Sequence, residues 1–113
     1  MKTDLTYLKS MSGGNEEVVK EMIGIFIDQV HEISEGMALA LKEEDWLSLS
    51  RLAHKAKSSV AIMGMLEMEA ELKRLEHIAG EGKEVITFKT LVDKFNVDCH
   101  IAIDELKAFA KIK

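Results

Sequence analysis

Between residues 19 and 33 the apolar side chains Val19, Met22, Ile23, Phe26, Ile27, Val30 and Ile33 recur at three- and four-residue spacing. That spacing stacks them on one stripe of an α-helix and on neither face of a strand. The pattern returns three times: Leu49, Leu52, Ala56, Val60 and Met63; then Met68, Leu72, Leu75 and Ala79; then Phe88, Leu91, Phe95, Cys99, Ala102, Leu106 and Phe109. A helix with one apolar stripe needs neighbours to cover it, so four stripes on short connections predict an all-α, antiparallel four-helix bundle. Proline, which would break such helices, is absent, and 47% of the 113 residues are apolar, enough for one core in a single domain spanning 1–113.

The boundaries follow from capping chemistry. Residues 4 to 10 read as a short extra N-terminal helix, broken by Ser12-Gly13-Gly14. Asn15 then caps the first long helix, with Glu16 and Glu17 against its positive end. That helix is expected to run to about Ser34, with Gly36 bending the chain before Met37 to Leu41. The acidic run Glu43-Glu44-Asp45 opens a second helix at Trp46 that ends by Gly64, and the third, from Met65 to Ala79, closes at Gly80-Glu81-Gly82. The last, from about Glu84 to Ala110, is roughly 40 Å long.

Charge and composition exclude several function classes. A formal net charge of −5, from 20 acids against 15 bases, gives no polyanion-binding field, so nucleic acid is not an expected partner. Cys99 is the single cysteine, excludes an intramolecular disulfide, and reads as a buried packing residue. The N-terminus lacks the apolar run of a signal peptide, and no stretch has the ~18 apolar residues that membrane insertion requires, so a cytoplasmic protein is expected. His31, His54, His77 and His100 fall 23 residues apart, but the intervening residues do not repeat and helical metal sites use i, i+3 or i, i+4 pairs. No metal or cofactor site is expected.

His54 is the histidine that chemistry singles out. At ~100° per residue it lands opposite the stripe of Leu49, Ala56 and Met63, so it faces solvent or a partner. Lys57 and Ser58, three and four positions on, are its neighbours one turn along, and Ala61 lies two turns away on the same line. Histidine's ordinary pKa, ~6.5, leaves a ring nitrogen with a free lone pair at neutral pH, able to attack phosphorus without a separate base. A lysine one turn away can stabilise phosphoryl oxygens. His77 also faces outward beside Lys73 and Arg74, so outward orientation alone does not select His54.

The stretch His54-Lys55-Ala56-Lys57-Ser58-Ser59-Val60 resembles the signature of histidine phosphotransfer (HPt) domains, usually written H-x-L-K-G-S-S. The lysine three after the histidine and the serine at Ser59 match, while Ala56, Ser58 and Val60 stand where the family has leucine, glycine and serine. Gly64, Gly13-Gly14-Asn15-Glu16-Glu17, Asp45-Trp46 and Leu75-Glu76 extend the likeness over most of the chain. The resemblance implies a carrier that takes a phosphoryl group on His54 from a receiver-domain aspartate and passes it to another receiver. Lys57 would steady the group and Ser58 would be a close-contact neighbour.

Response-regulator receivers and a sensor or hybrid histidine kinase are the implied partners, with Mg²⁺ on the receiver. Arg51, Lys55, Ala61, Ile62 and Met65, with Ile25 and Val18 from the preceding helix, are expected to form the docking surface. No G-x-x-x-x-G-K-[ST] loop or kinase glycine loop is present, so no ATP-dependent kinase activity of its own is expected. A helical adaptor that binds a receiver or kinase without chemistry is the alternative; an intact His54 and Lys57 argue against it.

Overall fold

A computed structural model describes residues 2–110. Five helices, α1 Thr6–Met11, α2 Glu16–Glu43, α3 Trp46–Ile62, α4 Leu66–Glu81 and α5 Val85–Ala110, make up the fold, with no strand among the described residues. The caps are local and chemical. The Asn15 side chain accepts from the backbone N–H groups of Glu17 and Val18, and Asp45 accepts from that of Ser48. Gly82, at φ +65°, ends α4 in the left-handed conformation glycine adopts without strain.

Contacts between α2 and α3 pair residues whose numbers run in opposite directions. Gly36 lies against Leu52, Glu32 against Lys55, and Gln29 against Ser59. These two helices are therefore antiparallel, as their two-residue link, Glu44-Asp45, requires. Packing of α5 against α2 and α4 closes the four-helix ring, with Ser34 Oγ donating to Asn96 Oδ1 at 2.7 Å and Lys94 bridging to Glu71 at 3.0 Å.

The stripes meet in one buried cluster that includes Ile23, Phe26, Leu49, Val60, Leu72, Phe88 and Phe95. Trp46 meets Phe88 edge-on with ring centroids 5.0 Å apart, an aromatic pair worth about 1 kcal/mol beyond its area. Cys99 is sealed in the core, where burial first, and the charge of Asp98 after it, push its thiol up to about 12, leaving it unreactive at neutral pH.

Two expectations are corrected. α2 does not end near Ser34 but runs on through Gly36 to Glu43, 28 residues and about 42 Å at the standard rise. Glycine there serves packing: a Cβ would come within 3.0 Å of Leu52 Cδ1, so its absence lets α3 approach. Phe109 is 48% exposed instead of lying in the core line, and Lys9 Nζ sits 5.0 Å from its ring centroid.

The N-terminal segment is strapped across the bundle. The backbone N–H groups of Lys2 and Thr3 and the Thr3 hydroxyl donate to the Glu105 carboxylate, and Lys2 Nζ lies 3.4 Å from Asp98. Asp4 N–H donates to the Met63 carbonyl at 3.0 Å, and Leu8 is fully buried. These bonds seat α1 beside the corner between α3 and α4.

Candidate functional site

The polar face of α3 presents His54 with its side chain 65% exposed. Lys57 and Ser58 lie one turn on, as helical spacing requires, Lys57 half-buried and Ser58 exposed. What helical spacing does not reveal is a third group from another helix. Antiparallel packing of α3 on α4 brings Glu76 to both: its Oε2 is 2.8 Å from His54 Nδ1 and its Oε1 is 2.9 Å from Lys57 Nζ. Ser50 Oγ donates to the Glu76 carbonyl at 2.8 Å and lies against Gly80, where a Cβ would come within 3.2 Å, so the two helix backbones approach closely at this level.

One carboxylate thus sets two side chains. An ionised carboxylate only accepts hydrogen bonds, so in the neutral imidazole of His54 Nδ1 carries the hydrogen and Nε2 keeps the lone pair. The carboxylate also lies 2.8 Å from the ring on which positive charge develops when Nε2 acts as a nucleophile. Lys57 has three N–H donors and Glu76 occupies one, leaving donors for an incoming anion.

The hydrogen bond from Lys57 first, and that from His54 after it, hold the Glu76 carboxyl below the ordinary glutamate range against the opposing effect of partial burial. A carboxyl whose folded pKa lies below its unfolded one contributes stability above the unfolded value and loses it as pH falls through the folded value. The wild-type protein should therefore exceed Glu76→Gln in urea midpoint at about pH 6, and that lead should shrink as pH falls below the ordinary glutamate range. A lead that does not change with pH would exclude an ionised Glu76 from the pair.

The structure distributes the expected docking residues unevenly. Arg51 and Lys55 are exposed, Lys55 turned towards Glu32 at 3.6 Å. Ala61 and Ile62 are half-buried, and Ile25, 56% exposed, shares an apolar cleft between α2 and α3 with Ile62 and Ser59. Val18 is half-buried. Met65 is the correction: at 4% exposed it packs into the core. It lies beyond the end of α3, where the chain turns through Gly64, so continuing the 100° rotation past Ile62 assigns it to the wrong side.

The other histidines are built differently. His77 and His100 are exposed, and each turns Nε2 towards an acid one turn along its own helix, Glu81 at 3.2 Å and Asp104 at 3.6 Å. Among the described residues, His54 alone shares a carboxylate with a lysine of its own helix. Tyr7 and Glu69, which spacing did not single out, line a cleft with Lys57 and Ser58.

The family model of the Hpt domain matches residues 21–109. Among solved structures, the crystal structure of histidine-containing phosphotransfer protein B (HptB) from Pseudomonas aeruginosa PAO1 superposes with a TM-score of 0.89. The superposition covers 99% of this chain and 96% of that one at 21% sequence identity, a likeness of fold. No curated protein matches the chain in sequence.

Proposed function

Because the chain belongs to the Hpt domain family, we propose that it is a phosphoryl carrier of a two-component phosphorelay, with His54 as the group that is phosphorylated. One bridging carboxylate carries this reading: Glu76 accepts the hydrogen bond from Nδ1–H, leaves Nε2 nucleophilic, and holds Lys57 on the same side.

In the forward step the Nε2 lone pair attacks the phosphorus of a receiver's aspartyl phosphate. The N–P bond forms, the P–O bond to the aspartate breaks, and the receiver regains its carboxylate. The imidazolium so formed keeps its Nδ1 hydrogen on Glu76. Lys57 turns a free N–H towards the phosphoryl oxygens, where fixed charge lowers the barrier of such transfers. Transfer onward to a second receiver is the same step reversed. The aspartate and the Mg²⁺ expected with it belong to the receiver, and a sensor or hybrid histidine kinase stands upstream of it. Ser58, short and exposed, leaves room for the partner to close over the ring. Nothing in the sequence cradles ATP, and among the described residues no helix is long and apolar enough to cross a membrane. A cytoplasmic location suits these partners.

The test is incubation with a panel of phosphorylated receivers. The expected product is label on this protein that is labile in acid and stable in base. Binding without label would favour a helical adaptor instead. Lys57→Ala should slow transfer about 10- to 100-fold, and Glu76→Gln about tenfold. Stability in Lys57→Ala should change by under about 1 kcal/mol, because a partly exposed ion pair contributes little. An unchanged rate in either variant removes that residue from the mechanism.

A further inference from the structure

Two clefts of different chemistry lie along the second half of α3, and Ile62 lines both. The cleft between α2 and α3 holds about 120 Å³ and is largely apolar, lined by Met22, Ile25 and Phe26; its polar groups are spent on each other, Ser59 Oγ donating to Gln29 Oε1 at 2.7 Å. The cleft between α1, α3 and α4 holds about 410 Å³ and is lined by Tyr7, Lys57, Ser58, Ala61, Ile62 and Glu69. It joins a phenol, both signs of charge and an aliphatic floor.

We propose that Tyr7 and Glu69 determine which receiver domains dock, by accepting an apolar side chain next to a lysine or arginine on the receiver surface beside its phosphorylated aspartate. The proposal rests on the phosphotransfer reading. A domain that brings an aspartyl phosphate within ~3.5 Å of Nε2 must lay its own surface over Ser58, one turn away, and hence over the cleft that Ser58 lines. An apolar cleft supplies affinity but discriminates weakly between apolar side chains. The second cleft can discriminate, because a base opposite Glu69 is attracted while an acid there is repelled. Tyr7, 57% exposed, offers a rigid ring face for the neighbouring apolar group.

The wall that carries Tyr7 is preformed. The Thr6 backbone N–H and hydroxyl both bond Asp4 Oδ1, Asp4 N–H holds Met63, and Leu8 is buried in the core. Docking therefore loses little conformational freedom on this side.

The experiment titrates a panel of receiver domains into the wild-type protein and the Tyr7→Ala, Tyr7→Phe and Glu69→Lys variants by calorimetry, with phosphoramidate as a small donor that needs no docking. For receivers that bind the wild type, Tyr7→Ala should raise Kd about tenfold and Tyr7→Phe less than about threefold. Glu69→Lys should reorder the Kd values across the panel. Labelling by phosphoramidate should be the same in all four proteins. Kd values within about twofold of wild type in both Tyr7→Ala and Glu69→Lys, or no receiver bound at all, would overturn the proposal. Altered Kd values in a protein that takes label from neither donor would sustain this assignment of Tyr7 and Glu69 and refute the phosphoryl-carrier reading.

Discussion

Replacing His54 with Gln is expected to reduce phosphoryl label on the protein to background while leaving the helical fold in place. An amide nitrogen has its lone pair delocalised into the carbonyl and cannot attack phosphorus as an imidazole nitrogen does. The loss should be close to complete, since a missing nucleophile leaves nothing for Lys57 to assist. The imidazole is mostly exposed and bonds Glu76, which retains Lys57. The unfolding free energy should therefore move by no more than about 1 kcal/mol. Acid-labile label measured beside circular dichroism and a urea titration checks both halves. Label persisting in a folded Gln variant would transfer the role to His31, His77 or His100.

Replacing Gly64 with Ala is expected to destabilise the protein by roughly 2–4 kcal/mol, and to lower Tm by about 10 °C or more. Two costs combine. Gly64 sits at φ +72°, where an L side chain costs about 1–2 kcal/mol. A Cβ there would also overlap the Asp4 carbonyl oxygen and lie 2.8 Å from the Asp4 nitrogen. Those are backbone atoms, so the N-terminal segment must move as a unit and give up the Asp4 to Met63 hydrogen bond. Such a bond adds about 1 kcal/mol. A loss below about 1 kcal/mol would show that the segment detaches at little cost. Because the same segment seats α1, the variant should also weaken whatever the Tyr7 wall contributes to docking.

Both residues were visible in the sequence, for different reasons. The exposure of His54 follows from rotation alone, 100° per residue from the apolar stripe putting it on the outer face of a regular helix, while Lys57 and the motif around it single it out from His77. Gly64 follows from helix termination, because a glycine after a fading stripe marks a C-terminal turn. Rotation at 100° per residue holds only within the helix, so it places Met65, beyond the end of α3, on the surface, whereas Met65 lies in the core. Gly36 misled in the other direction: glycine lowers helix propensity, yet covering α3 along its length outweighs that cost and keeps α2 continuous.

Period, caps and the outward side of each helix are encoded locally, within three or four residues, so the amino-acid sequence alone determined four amphipathic helices, the Asn15 cap, the burial of Cys99 and the exposure of His54. Glu76 lies 22 positions from His54 and 19 from Lys57 in the chain, and Tyr7 is still farther from Ser58. Which side chains meet across two helices depends on how far the backbones slide and how closely they approach, a quantity set by packing of the whole core. Only the tertiary structure decided that one carboxylate would hold both the imidazole and the ammonium group, and that α1 would stand beside them.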